Sequence, residues 1–163
     1  MNEQSDDPLH PAPDSPAGEA RPLRVMIVDD HRIFRQALAR SLADHPDILV
    51  IAEAGDGIEA LARAATAAPE VVCMDISMPR MNGIEATRQL LAQQPLVKII
   101  GLSAYSEQRL VLDMVQAGAA GYINKADAAV ELPAAIRMVC AGRRYLGSSA
   151  ASVLAEHDDG REQ

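Results

Sequence analysis

The sequence lacks tryptophan altogether and contains only one phenylalanine and three tyrosines. With so few aromatic rings, it has little with which to stack nucleic-acid bases or a flavin. Its two cysteines, Cys73 and Cys140, form neither a disulfide framework nor a CxxC metal motif, and we expect both to be small buried side chains. No apolar run approaches the roughly 18 to 20 residues of a membrane span, and the N-terminus lacks the regions of a signal peptide. These absences predict a cytoplasmic protein with no membrane partner.

The charge of the chain is unevenly distributed. The 163 residues carry a formal net charge of −8, which excludes a chain-wide basic surface for nucleic acid. The acidic excess lies in residues 1–22 and 156–163, and the body between them is nearly neutral. Residues 1–22 are rich in proline and have no apolar periodicity, which predicts a disordered N-terminal tail. We expect one folded domain over residues 23–147, followed by the start of a linker and an acidic tail over residues 148–163.

Five apolar runs alternate with five helical patterns. The runs cover residues 24–28, 48–54, 71–75, 97–103 and 121–125, and the helical patterns cover 31–44, 58–68, 84–93, 107–117 and 129–141. This alternation predicts an α/β fold, a doubly wound parallel sheet with helices on both faces. Pro133 conflicts with the last helix, because proline near the second turn removes a hydrogen bond and crowds the preceding turn. The start of that helix around Pro133 therefore stays open, and it can lie later than residue 129.

Polar residues stand at the C-terminal ends of four of the predicted strands. Asp29 and Asp30 follow the first strand, and Asp75, Ser103 and Lys125 end the third, fourth and fifth. Ligands bind at this edge of an open parallel sheet. A single acid at a strand end often does no more than cap the next helix. Four strand ends together indicate a crevice in which three carboxylates, a hydroxyl and an ammonium meet.

Such a crevice needs a compensating cation, because three neighbouring carboxylates repel one another. A site whose ligands are all oxygen atoms is typical of Mg²⁺. Zinc is disfavoured, because the four histidines are dispersed along the chain and no cysteine lies near them: His10, His31, His45 and His157. Lys125, one of only two lysines, would suit a phosphate oxygen as a point charge.

Four ordered motifs resemble the receiver domain of two-component response regulators: V-D-D-H at 28–31, M-D-I-S-M-P-R-M-N-G at 74–83, L-S-A at 102–104 and G-Y-I-N-K at 121–125. The resemblance runs from about residue 23 to 147 and implies a flavodoxin-like (βα)5 sheet with strand order 2-1-3-4-5. The segments V-D-D-H-R-I-F-R-Q-A-L at 28–38 and A-G-R-R-Y-L at 141–146 are similar to the NarL/FixJ type. In that type, a LuxR-type helix-turn-helix domain follows the receiver.

The resemblance implies an acceptor and a metal site. Asp75 would be the phospho-acceptor, and its carboxylate would attack a phosphohistidine of a sensor histidine kinase. Asp30, Asp75 and the backbone carbonyl of Ser77 would bind Mg²⁺, with Asp29 acting through water.

The resemblance also implies a switch. Lys125 would pair with the phosphoryl group, Ser103 would donate a hydrogen bond to it, and the ring of Tyr122 would follow Ser103. The chain would then be a signalling protein that catalyses only its own phosphorylation and dephosphorylation, and not a conventional enzyme. Its output surface would change with the charge of the acceptor, and phosphorylation could drive homodimerisation.

The sequence leaves the output of this switch open. The segment after Leu146 is too short for a DNA-binding domain, so we expect this chain itself to bind no DNA and to be the N-terminal part of a transcriptional regulator. One alternative is a natural stand-alone receiver that acts through protein contacts. Another is a Mg²⁺-dependent phosphatase of the haloacid-dehalogenase type. That enzyme needs a second acid two residues after its nucleophile, where this chain has Ser77.

Overall fold

The computed structural model of the chain describes residues 21–104, 108–147, 150–152 and 154–156. Most of the predicted N-terminal tail and of the predicted acidic C-terminal tail lies outside these residues. The strands and helices alternate along the described chain as the apolar pattern predicts. Among the described residues, no helix is both long and apolar enough to cross a bilayer.

The described fold contains six strands and five α-helices between residues 23 and 146, and residues 150–152 and 154–156 are also helical. The strands are β1 (Leu23–Val28), β2 (Ile48–Ala54), β3 (Val71–Asp75), β4 (Lys98–Ser103), β5 (Gly121–Asn124) and β6 (Tyr145–Leu146). The helices are α1 (Arg32–Ala43), α2 (Gly57–Ala67), α3 (Gly83–Gln93), α4 (Gln108–Ala117) and α5 (Ala128–Cys140), and a 3-10 turn over Lys125–Asp127 precedes α5.

The strands form one parallel sheet in the order β2-β1-β3-β4-β5-β6. The first five strands confirm the order that the resemblance implies. β6 is a sixth strand that the sequence pattern did not predict. It bonds to the β5 region through its own Tyr145, whose N–H donates to Ala120 O at 3.1 Å, and through the following Gly147, whose N–H donates to Tyr122 O at 2.8 Å. A strand of two residues is too short to show an alternating pattern.

The sheet separates two hydrophobic cores because successive side chains of each strand point to opposite faces. On one face, α1 and α5 pack through residues such as Leu42 and Ile136 against Val25 and Ile27 of β1. On the other face, helices α2, α3 and α4 pack against the alternate strand positions. Cys73 is buried in the first core as expected, whereas Cys140 is only partly buried.

The later start of α5 that Pro133 suggested is wrong, and the predicted range from residue 129 is nearly right. The helix begins at Ala128, directly after the 3-10 turn, and contains Pro133 in its interior. Proline there removes one hydrogen bond to the carbonyl of Ala129, which belongs to an exposed residue. The helix buries Leu132, Ile136 and other apolar side chains, at roughly 1.5 to 3 kcal/mol for each large one. This burial outweighs a proline cost of about 3 kcal/mol.

Candidate functional site

The candidate site lies at the C-terminal edge of the sheet, where four strand ends stand side by side. β1, β3, β4 and β5 are neighbours in the sheet, and their buried runs end at Val28, Asp75, Ser103 and Asn124. Asp29 follows β1 and is fully buried, and Asp75 and Ser103 are each 3% exposed. The parallel register thus brings together residues from distant parts of the chain, as the sequence predicts.

Lys125 joins two buried carboxylates at the centre of this edge. Its Nζ lies 2.6 Å from Asp29 Oδ2 and 3.2 Å from Asp75 Oδ1. The same Nζ lies 4.8 Å from the centre of the Phe34 ring, which provides a favourable cation–π contact. Only 14% of the Lys125 side chain is exposed. The geometry confirms that the lysine and these two acids meet in space.

The electrostatics of the site favour the addition of positive charge. Burial, together with the negative charge of Asp29, raises the pKa of Asp75 to about 7, and Lys125 only partly opposes this shift. Burial lowers the pKa of Lys125, but its hydrogen bond to Asp29 and the charge of Asp75 raise it by more, so the ammonium stays protonated. A single ammonium therefore does not offset all of the acids at this edge.

Asp30 and His31 complete an acidic cluster. One ligand atom from each of Asp29, Asp30, His31 and Asp75 can be chosen so that all four lie within 4.8 Å of one another. His31 Nδ1 lies 3.2 Å from an oxygen of both Asp29 and Asp30, and its backbone N–H donates to Asp29 Oδ1 at 2.8 Å. The sequence analysis named His31 only as one of four dispersed histidines, and the structure places it in the acidic cluster.

The cluster fits a hard divalent cation on its own chemistry. Asp75 Oδ2 is buried and finds no hydrogen-bond donor among the described residues. A buried carboxylate oxygen without a donor carries a desolvation cost that a cation would remove. Oxygen atoms also dominate the ligands available at this edge, which is the preference of Mg²⁺ and Ca²⁺.

Arg35 holds the backbone next to the acidic cluster in place, and the sequence analysis did not identify it. Its Nη1 donates to the backbone carbonyl of Asp29 at 2.6 Å, and its Nε donates to Glu53 Oε1 at 3.0 Å. These bonds fix the segment between β1 and α1 against the end of β2. The only sequence signal for this role is a basic residue one turn into α1, on the face toward β2.

The remaining predicted residues lie around the cluster. Ser77 is exposed and stands two residues after Asp75 in the loop between β3 and α3. Ser103 and Tyr122 share one face of adjacent strands, because Gly101 pairs with Tyr122 while Ser103 pairs with Asn124. The Tyr122 ring is buried, and a Cβ on Gly101 would come within 3.2 Å of it, so the absence of a side chain at Gly101 makes room for the ring.

Comparison with known proteins gives one consistent result. Residues 25–137 match the family model of the response regulator receiver domain. The chain is 41% identical over 133 residues to response regulator GacA of Pseudomonas viridiflava, covering 82% of this chain and 62% of that protein. It is 42% identical over 133 residues to response regulator UvrY of Escherichia coli K12, covering 82% of this chain and 61% of that protein. The chain therefore spans about three fifths of the length of the curated relatives it matches.

A solved structure agrees with these relatives. The two-component response regulator of the LuxR family from Aurantimonas sp. SI85-9A1 superposes with a TM-score of 0.80 at 34% identity. The match covers 84% of this chain and 98% of that one. The parallel sheet and its flanking helices are thus shared with a regulator of known fold.

Proposed function

The chain belongs to the response regulator receiver domain family, of the NarL/FixJ type, and on that premise we propose that Asp75 accepts a phosphoryl group from a sensor histidine kinase. The observation that carries the proposal is the contact of Lys125 with both Asp29 and Asp75 at the sheet edge. This contact puts a fixed ammonium beside the carboxylate that would take the charge.

The transfer is a displacement at phosphorus. An oxygen of the Asp75 carboxylate forms the new P–O bond, and the P–N bond of the kinase phosphohistidine breaks with its electron pair leaving on the imidazole, which then takes a proton. Lys125 would hold the phosphoryl oxygens through its charge. Phosphoryl transfer depends mainly on positioning and on compensation of charge, and Lys125 would contribute to both.

Mg²⁺ is the cofactor that we assign to this site. Asp30, Asp75 and the backbone carbonyl of Ser77 would bind it directly, and Asp29 would act through water. The donor-free oxygen of Asp75 and the excess of carboxylates over the single ammonium support this assignment. When bound, Mg²⁺ supplies positive charge that offsets both the carboxylates and the phosphoryl oxygens.

Ser103 and Tyr122 would convert the phosphoryl group into a change of surface. The Ser103 hydroxyl would donate a hydrogen bond to the phosphoryl group, and the Tyr122 ring would follow its movement. Support comes from their common face on β4 and β5, where Gly101 leaves space beside the ring. A local change of charge would thus bias the packing of α4 and β5.

Support for the output of the proposed switch comes from related proteins. The chain spans about three fifths of the length of relatives that are named response regulators. The solved Aurantimonas structure is named a LuxR-family regulator. We propose that the receiver, with boundaries near residues 23 and 147, controls transcription through a separate helix-turn-helix effector domain. Phosphorylation would act by promoting a homodimer.

Labelling with a small phosphodonor tests the acceptor. With Mg²⁺ and labelled acetyl phosphate, the wild-type chain should take up one hydroxylamine-sensitive phosphoryl group, and Asp75→Asn should take up none. Asp44→Asn, an exposed acid at the end of α1, serves as the matched control and should label like wild type. Equal labelling of Asp75→Asn and wild type would refute Asp75 as the acceptor.

A further inference from the structure

The loop between β3 and α3, residues 76–82, contains a strained residue that the proposed transfer does not use. Arg80 has a φ of +66°, one of two positive values among the described non-glycine residues. Met81 N donates to Pro79 O at 2.8 Å, which closes a three-residue turn with Arg80 at its centre. A turn of this type with positive φ is rare and energetically costly, so other contacts must hold it.

Asp56 holds the strained residue. The Arg80 guanidinium donates through both Nε and Nη2 to Asp56 Oδ2, with Nε at 3.0 Å. The other oxygen of Asp56 caps α2 by accepting from Glu59 N at 2.9 Å. Asp56 is only 6% exposed, although much of the Arg80 side chain faces solvent. A nearly buried carboxylate is costly to leave unpaired, which makes this contact firmer than an ion pair between two exposed groups.

A second contact ties the same two loops together. Gly57 N donates to the carbonyl of Met81 at 3.3 Å. A Cβ on Gly57 would come within 2.8 Å of the Met81 side chain, so the absence of that atom permits the close approach. The far end of the β3–α3 loop is thus fixed to the start of α2.

The near end of the loop is fixed beside Asp75. Gly83 N donates to Ile76 O at 2.8 Å, and Ile76 N donates to Leu102 O at 3.2 Å. A Cβ on Gly83 would lie 2.0 Å from the carbonyl oxygen of Asp75, so α3 starts in direct contact with the acceptor's backbone. Ser77 stands between these two fixed ends.

We propose that the Arg80–Asp56 ion pair positions the β3–α3 loop, and through it the Ser77 carbonyl, for divalent-cation binding beside Asp75. Arg80 and Asp56 are positioning residues, since neither belongs to the acidic cluster. The inference rests on the proposed function, because the strained turn can affect cation binding only if the β3–α3 loop supplies a metal ligand. Without the ion pair, the strained turn relaxes and the Ser77 carbonyl samples other orientations.

The test compares Mg²⁺ binding by calorimetry with unfolding in chelator for the same variants. Arg80→Ala removes the guanidinium, and Asp56→Asn removes the charge while keeping a good helix cap. Each should weaken Mg²⁺ binding by roughly three- to tenfold, less than the loss typical of direct outer-shell partners of a metal ligand. The double variant should bind Mg²⁺ as tightly as the weaker-binding single variant, because all three variants lose the same interaction.

Two further variants separate positioning from stability. Glycine adopts a positive φ without strain, so Arg80→Gly should be more stable than Arg80→Ala. Because it also lacks the guanidinium, it should bind Mg²⁺ no better than Arg80→Ala. Arg88→Ala breaks an exposed ion pair with Glu85 on α3 and should leave Mg²⁺ binding unchanged. If Arg80→Ala and Asp56→Asn lower stability but bind Mg²⁺ within twofold of wild type, the ion pair serves only the fold and the positioning role is overturned.

The labelling experiment keeps the two proposals apart. A wild-type chain that binds Mg²⁺ but takes no phosphoryl group would refute the proposed function and leave the calorimetric comparison to decide the positioning role. A wild-type chain that binds no Mg²⁺ overturns the positioning role. Slower labelling of Arg80→Ala and Asp56→Asn at low Mg²⁺, restored at saturating Mg²⁺, supports both proposals.

Discussion

Lys125 balances two buried acids that the fold would otherwise leave uncompensated. Asp29 directly follows β1 and Asp75 ends β3, and each contacts the lysine Nζ. Buried charges are stable only when they are paired, and this pairing is incomplete because Asp75 keeps an oxygen without a donor. At the scale of single residues, the site carries an unfavourable excess of negative charge that a bound cation would relieve.

The raised pKa of Asp75 gives a prediction for stability against pH. Burial and the Asp29 charge raise this pKa from 3.8 to about 7 in the folded chain, so folding favours the protonated form. The stabilisation is complete below pH 4 and is lost as pH rises through 7. In chelator at pH 8, Asp75→Asn should therefore be more stable than wild type by up to roughly 4 kcal/mol, and the difference should shrink toward pH 4.

Urea unfolding at several pH values measures this difference. Asp44→Asn should follow wild type across the range, since Asp44 is exposed. Mg²⁺ should stabilise wild type more than Asp75→Asn, because the variant lacks one anionic ligand. A difference between Asp75→Asn and wild type that does not change with pH would contradict the electrostatic origin.

The sequence identifies the central residues but not their supports. Asp29, Asp75 and Lys125 are predictable because each follows a buried strand, and strand ends share one edge of a parallel sheet. Arg35 and Arg80 were missed, because their partners lie in other elements, Glu53 in β2 and Asp56 at the N-cap of α2. A contact between residues far apart in the chain leaves no local sequence pattern. The position of Arg80 in the left-handed region also has no sequence signal, since glycine is the usual residue there.

At the scale of secondary-structure elements, the start of α3 is in direct contact with the backbone of Asp75. Gly83 begins this helix, Asn82 caps it, and no side chain fits between Gly83 and the backbone of Asp75. We therefore expect a movement of β3 to act directly on α3, and a movement of α3 to act on Asp75, the proposed acceptor.

Substitution of Gly83 tests this coupling. Gly83→Ala places a methyl group against the Asp75 carbonyl, so we expect a loss of roughly 2 to 4 kcal/mol in unfolding free energy and slower labelling by acetyl phosphate. Gly55→Ala is the matched control, because its Cβ would meet only flexible side chains at 3.5 Å or more. Equal stability of the two variants would show that the start of α3 can shift at little cost and that its coupling to Asp75 is weak.

Element boundaries show where tertiary packing overrides local pattern. The apolar runs predict β1 to β5 well, because buried parallel strands are apolar on both faces. β6 was missed because its two residues acquire a strand conformation only by pairing with β5. α5 starts before Pro133 because its burial against the sheet outweighs the lost hydrogen bond.

At the scale of the whole molecule, the chemistry is confined to one edge of a sheet that is packed on both faces. The described acids of the cluster and Lys125 meet at this edge, and the two cores keep the strand ends in register. The predicted domain boundaries near residues 23 and 147 remain predictions, as do the dimer and the effector. The proposed switch as a whole depends on Asp75, Lys125 and a divalent cation forming one centre.

A crystal structure with Mg²⁺ and beryllofluoride, a phosphoryl analogue, tests that centre most directly. We expect beryllium on an oxygen of Asp75, Lys125 Nζ and the Ser103 hydroxyl within hydrogen-bond distance of fluorine, and Mg²⁺ bound by Asp30, Asp75 and the Ser77 carbonyl. Mg²⁺ bound without Asp75, or beryllofluoride attached to another carboxylate, would contradict the proposed centre.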